Sequence, residues 1–183
     1  MSRIRIIGGA WRRRMLEVAD VPGLRPSGDA VRETLFNWLG QDLTGQSCLD
    51  VFAGSGALGL EAASRGAARV TLLESHPKVL AQLERNYAAL HNVPVAGVVE
   101  IVRTDALKWL TVPARRYDVV FLDPPFNAGW FERLAGLVEA ALAPQGLVYA
   151  EAEFPVQNLG NLRSIKQGRS GHVYYQLLSR ELP

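Results

Sequence analysis

DVFAGSGALG, Asp50 to Gly59, sets three glycines as Gly54-x-Gly56-x-x-Gly59 directly after an apolar stretch and before a helical one. Glycine lets the backbone turn sharply and approach a ligand closely, while the N–H groups opening the next helix face that ligand. The same spacing also serves a bare strand-to-helix turn. Against that reading stands Glu74, 20 residues beyond Gly54 at the end of the next apolar run. A carboxylate at that place can accept both hydroxyl hydrogen bonds of an adenosine ribose.

Outward from this loop the chain repeats strand, loop and helix. SCLDVF reads as a strand and Leu58 to Ser64 as a short helix. RVTLLE (Arg69 to Glu74) is a second strand, followed by a helix from about Pro77 to Leu90, with proline in the first turn where its missing N–H costs nothing. VVEIVR (Val98 to Arg103) and YDVVFLD are further strands. Trp130 to Leu142 predicts a helix and Gly146 to Ala150 a fifth strand. Such alternation implies a parallel sheet covered on both faces. LRSIKQ and VYYQLLSR, separated by GRSGH with no helix between them, predict an antiparallel hairpin closing one edge.

Residues 1–44 lie outside this alternation. Arg3 to Ile7, then Gly8-Gly9, then Trp11 to Leu16 predict a β-hairpin. A loop around Pro22, Gly23 and Pro26 leads to a helix capped by Ser27 or Asp29, with Val31, Leu35, Trp38 and Leu39 at helical spacing. The expected organisation is one domain over 1–183: an extension at 1–44 and an α/β core at 45–183.

Two more acids refine the ligand. Asp50, inside the end of the first core strand, is awkward beside a pyrophosphate, which weakens an NAD reading of the glycines. It suits a ligand carrying positive charge, such as the amino group and sulfonium of S-adenosylmethionine. Asp105 follows the third strand, where it can accept from an adenine amino group or cap the helix Ala106 to Leu110. The cofactor candidates are thus Asp50, Gly54, Ser55, Gly56, Glu74, Asp105 and Ala106, at the carboxyl ends of strands where open α/β sheets bind ligands.

The fourth strand ends in Asp123-Pro124-Pro125-Phe126. An exocyclic amine on a nucleobase is a poor nucleophile because its lone pair is delocalised into the ring. Two acceptors against its N–H bonds, the Asp123 carboxylate and the Pro124 carbonyl, favour a pyramidal nitrogen and free that pair. The prolines hold the acceptors stiffly, and Phe126 can stack on the base. Asp123 can then take the proton that methylation makes acidic.

DVFAGSGALGLEAASRGA with LDPPF resembles class I S-adenosylmethionine-dependent amino-methyltransferases. RIIGGAWRRR, GLRPSGDAVRETLFNWL and GHVYYQLLSRE narrow the resemblance to the bacterial 16S rRNA (guanine(966)-N2)-methyltransferase family, over nearly the whole chain. It implies a Rossmann-like fold with a mostly parallel seven-stranded sheet, helices on both faces and an antiparallel C-terminal hairpin. It implies S-adenosyl-L-methionine as cofactor and methylation of one guanine N2 in 16S rRNA, within the 30S subunit or its assembly intermediate. Two positions depart from the family pattern: Ser27 stands where threonine is usual, and Ala30 where a basic residue is. Adenine-N6 methylation of DNA or RNA is the alternative, since DPPF serves either amine.

Residues 1–32 carry seven arginines against three acids, leaving +4 there and −2 on the remainder. Arg3, Arg5, Arg12, Arg13, Arg14, Arg25 and Arg32 are candidate phosphate contacts, and Trp11 can stack on a nucleotide or cover the core. The single cysteine, Cys48, reads as a buried apolar residue, and His76, His91 and His172 form no metal-like spacing. With 48% hydrophobic and 21% charged residues and no apolar run of about 18, the chain is expected in the cytoplasm, without membrane, metal or obligate protein partner, as a monomer.

Overall fold

The computed structural model describes residues 2–24, 27–126 and 129–180. Strands β1 (Arg3–Arg5) and β2 (Met15–Glu17) form an antiparallel pair with Arg3 opposite Glu17, and helix α1 (Asp29–Trp38) follows. The core then runs β3 (Ser47–Asp50), α2 (Gly59–Ser64), β4 (Arg69–Glu74), α3 (Pro77–Ala88), β5 (Val98–Arg103), α4 (Ala106–Leu110), β6 (Tyr117–Leu122) and α5 (Trp130–Ala141). It closes with β7 (Leu142–Ala152), β8 (Asn158–Leu159), β9 (Leu162–Ser170) and β10 (Val173–Arg180).

The main sheet has the order β5-β4-β3-β6-β7-β10-β9-β8. The pairings from β5 to β7 are parallel and those from β7 to β8 antiparallel. This is the class I methyltransferase fold with eight strands rather than seven. The extra strand, β8, is two residues long, too short for any alternation to announce it. Central strands β3 and β6 are buried almost throughout, because helices cover both faces, whereas edge strand β5 alternates. From β3 the chain builds outward through β4 and β5, then crosses back to β6 on the other side of β3. That reversal opens a crevice at the carboxyl ends of β3 and β6.

The N-terminal hairpin is built into the core. Ile6, Trp11 and Leu16 are buried in one cluster with Phe36, Leu60 and Phe121. Glu61 of α2, fully buried, accepts the N–H groups of Ile7 and Gly8 at 2.8 Å each, and binds Arg65 Nε at 2.8 Å and Arg32 at 3.4 Å. Gly9 lies with φ +76°, and a Cβ there would sit 1.8 Å from the Ser64 carbonyl oxygen, so only glycine fits.

Three expectations are corrected here. Trp11 is 2% exposed, donates from Nε1 to the Val93 carbonyl at 2.7 Å and packs edge-on against Tyr87, so it covers the core and is not placed to stack on RNA. Arg32 has no exposed surface; Asp29, Glu61 and the Ser27 carbonyl consume its guanidinium, which removes it from the phosphate contacts. The residue capping α1 is Gly28, without a side-chain bond, because the Ser27 hydroxyl turns inward and Asp29 pairs with Arg32 and Arg5.

Candidate active site

A cavity of about 660 Å³ opens at the carboxyl ends of β3, β4 and β6, within the size range of small-molecule sites. One wall is the segment Val21, Pro22, Gly23, Leu24 and Ser27 between the hairpin and α1. All four residues of the Asp123–Phe126 motif line it, as do all the cofactor candidates except Gly56. Parallel register places Asp50 opposite Phe121, two residues before Asp123, so the two carboxylates descend from neighbouring strand ends.

Asp50 is buried, and its Oδ2 accepts from the Gly59 N–H at 2.9 Å. Its Oδ1, equally buried, has no hydrogen-bond partner among the described residues. Burial pushes this carboxyl up to about 7, against the Gly59 and Phe52 N–H groups and with a further push from Glu74. A buried acceptor without a partner, on a wall of the cavity, fits a cationic group. Glu74 accepts from Gly54 N–H at 3.1 Å and from His76 N–H at 2.8 Å. A carboxylate offers about four lone-pair sites, so two hydroxyls can still be received. Asp105 caps α4 by accepting from Lys108 N–H at 3.0 Å, and its residue lines the cavity, so the cap does not remove it from the ligand candidates.

The three glycines divide the work. Gly54 lines the cavity at φ +55°. Gly56 does not: a Cβ there would meet Leu60 at 2.6 Å and Leu83 at 2.8 Å, so it permits packing of the loop on α2 and α3. Asn86 of α3 holds the loop from behind, donating from Nδ2 to the Ser55 carbonyl at 2.9 Å.

Asp123 is half-buried, Pro124 buried, and Pro125 and Phe126 exposed at the rim, with Phe126 at 42%. Burial holds the Asp123 carboxyl well above the usual range; Glu151 and Asp50 push the same way and a Ser27 hydrogen bond opposes them. Sequence reasoning missed the buried group behind it. Ser27 Oγ donates to Glu151 Oε1, and Tyr149 donates to the same oxygen at 2.8 Å. An acid in the apolar strand LVYAEA was the available signal, since a buried carboxylate demands partners.

Of the arginine candidates, Arg3 pairs with Glu17, Arg5 with Asp29, and Arg14 reaches Asn92. Arg12 and Arg13 are exposed at the hairpin turn, Arg13 with φ 70°. Arg25 lies outside the described residues. Among the described residues no group of three His, Cys, Asp or Glu could hold a metal ion, and no helix is long and apolar enough to cross a membrane.

The family described as conserved hypothetical protein 95 matches residues 4–179. Ribosomal RNA small subunit methyltransferase D of Escherichia coli strain K12 is 45% identical over 187 residues, covering 98% of this chain and 91% of the relative. The Haemophilus influenzae protein of the same name is 42% identical, covering 96% and 93%. Among solved structures, Escherichia coli yhhF, described as a candidate methyltransferase, superposes with a TM-score of 0.85 at 44% identity, covering 100% of both chains. The Thermus thermophilus 16S rRNA N2 G1207 methyltransferase, solved with AdoMet and guanosine, shares the fold at a TM-score of 0.73 and 19% identity, covering 98% of this chain and 50% of that one. With matches of this extent, the chain belongs to the conserved hypothetical protein 95 family and is an S-adenosylmethionine-dependent methyltransferase of class I.

Proposed function

We propose that the protein methylates the exocyclic N2 amine of one specific guanine in 16S rRNA, as a monomer in the cytoplasm, on the 30S subunit or its assembly intermediate. The observation that carries this is the descent of Asp50 and Asp123 from adjacent strand ends into one cavity. One carboxylate suits a cationic methyl donor and the other an amine. S-adenosylmethionine supplies a methyl group on a sulfonium whose bond electrons leave with sulfur.

In this reading Asp50 faces the donor's positive charge, Glu74 takes the ribose hydroxyls, and Asp105 with Ala106 borders the adenine. Gly54 and Ser55 pass close beneath, and Gly56 seats their loop. Asp123 and the Pro124 carbonyl hold the two amine hydrogens, Pro125 stiffens the turn, and Phe126 stacks on a base turned out of its helix. Residues 1–44 face the RNA, with Arg3, Arg5, Arg12, Arg13 and Arg14 on the hairpin, and Arg25 is a further candidate phosphate contact by its charge alone. Residues 45–183 carry the chemistry.

The test is radiolabelled methyl transfer from S-adenosylmethionine to 30S subunits from cells lacking this gene, followed by nucleoside identification. Label in N2-methylguanosine at one 16S site is expected. Label in methyladenosine overturns the base assignment while keeping the clamp.

A further inference from the structure

Strand register carries a basic turn to the mouth of the cavity. Asp123 follows Leu122, the β6 residue paired with Ala150, which brings it level with Glu151 of β7. Glu151 pairs with Tyr175 of β10, and Tyr175 with Gly168 of β9. The row Asp123, Glu151, Tyr175, Gly168 thus crosses four neighbouring strands at the carboxyl end. Strand β7 ends one residue past that row, at Ala152. Strand β9 continues to Ser170 and β10 begins at Val173, with Gly171 and His172 turning between them. At strand dimensions the turn overhangs the row by roughly 10 Å, and β10 lies roughly 10 Å to the side of β6.

The overhang is acid-free and braced. Residues 154–180 contain Arg163, Lys166, Arg169 and Arg180 and neither Asp nor Glu. The Tyr175 ring lies over Gly168, where a Cβ would meet it at 2.3 Å, and packs on Trp38 of α1 with centroids 5.5 Å apart. At the tip the Arg169 guanidinium lies 5.1 Å from the centroid of the Tyr174 ring, and its Nε donates to the Gly171 carbonyl at 2.9 Å. These contacts hold the planar fork in place in advance and leave its other N–H groups without partners among the described residues. Ser170, Gly171 and His172 beside it are exposed. Phe154, two residues past β7, is 50% exposed and packs edge-on against Phe131 at the start of α5. An exposed acid, Glu153, adjoins this surface and offsets one of its charges.

The Arg12–Arg13 turn sits elsewhere. Ser64, the last residue of α2, holds Ala10 and Trp11, while Trp11 and Arg14 reach Val93 and Asn92 in the segment leading into β5. Those contacts lie toward the amino ends of the parallel strands, away from Asp123.

Resting on the rRNA-methylation reading above, we propose that the β9–β10 turn, through Arg169, Ser170 and His172, grips phosphates of the RNA strand beside the target base, with Phe154 as a stacking face for a neighbouring nucleotide. A base turned into the cavity draws its own backbone to the rim. On the β7 side that backbone meets the overhang before any lower part of the sheet. A preset guanidinium, a hydroxyl and an imidazole suit phosphate oxygens, and the lack of acids from 154 to 180 spares the strand repulsion.

The experiment uses 30S subunits from cells lacking this gene and compares wild type, Arg169→Glu, Arg169→Lys and Arg115→Glu. Arg115 is exposed just before β6, at the opposite end of the sheet, and serves as the charge control. Binding without cofactor is titrated against salt, and methyl transfer against subunit concentration. Arg169→Glu is expected to raise Kd and KM about 10-fold and to lessen the salt slope by about 0.7, with kcat and cofactor affinity at wild type. Arg169→Lys should keep the salt slope, and Arg115→Glu should behave as wild type. A photocrosslinker on His172→Cys, selective because Cys48 is buried, should join 16S rRNA. Wild-type binding by Arg169→Glu, an equal loss in Arg115→Glu, or a crosslink to ribosomal proteins alone overturns the proposal. If no RNA is methylated while Arg169→Glu still weakens binding and the crosslink is on rRNA, the surface stands and the amine reading falls.

Discussion

Asn86 Nδ2 donates at 2.9 Å to the Ser55 carbonyl of the glycine loop, and at 2.9 Å to the Glu17 carbonyl of the N-terminal hairpin. Its Oδ1 receives the Glu17 N–H at 3.0 Å. One side chain of α3 therefore ties the glycine loop to the N-terminal hairpin. Asn86→Ala strands three backbone groups, one buried and two partly buried, and is expected to cost about 2–4 kcal/mol. Thermal denaturation and calorimetric titration with S-adenosylmethionine check this. Lower stability together with weaker cofactor binding is expected; a stability loss with unchanged affinity would refute the link to the loop.

Asp50→Asn tests the cationic-ligand reading through pH. The wild-type carboxyl keeps its proton in the folded state up to about 7, whereas unfolded it loses it near 3.8. Folding thus takes up a proton between those values, and this group's contribution to stability falls as pH rises through that window. The variant should flatten the fall, standing above wild type in denaturation midpoint at pH 8 and level with it near pH 4. It should also lose cofactor affinity by 10-fold or more, on the order of the loss of one charged partner.

In the proposed clamp, Asp123→Ala removes one of the two amine acceptors but nothing that holds the donor. Methyl transfer should drop by roughly 100-fold or more, with cofactor affinity within a few-fold of wild type. Turnover at the wild-type rate would sink the clamp.

Gly9→Ala places a methyl group where the Ser64 carbonyl already lies, in a backbone conformation hostile to side chains. A destabilisation of more than about 2 kcal/mol is expected. Hydrogen exchange should show the hairpin opening ahead of the sheet.

Cys48 has no exposed surface, and burial, with Asp118 and Asp50 adding, pushes its thiol up to about 12. A thiol reagent is expected to leave the native protein untouched and to label it fully in denaturant. The labelling rate then reports opening of the β3 region.

The strands that alternate with helices were legible because their apolar runs are bounded by glycine, proline or acid. Arg69–Glu74, Val98–Arg103 and the helix Ala106–Leu110 fall at the bounds read from the chain. Strand β7 begins at Leu142, directly after α5, through an irregular pairing of Leu142 with Tyr117, whereas Pro144 and Gly146 read as a break and put the expected start at Gly146. Arg32 misled because an arginine is ordinarily read as surface, and only the three-dimensional meeting of Asp29, Glu61 and the Ser27 carbonyl accounts for burying one. The strand-end carboxylates could be placed in a common crevice because a parallel sheet sends every strand end the same way. Ser27 and Glu151 could not be joined in advance, since they stand 124 residues apart in the chain.

The wall formed by Val21 to Leu24 and Ser27 bears on protein engineering. A chimera that takes its first 44 residues from a relative with a different target nucleotide would import more than an exposed hairpin surface. It would exchange a side of the cavity, both hydrogen-bonding partners of Glu61 in the hairpin, and the hydroxyl that holds Glu151. The extension is not an interchangeable cassette, and a graft that retargets the enzyme has to carry matching changes in α2, α3 and β7.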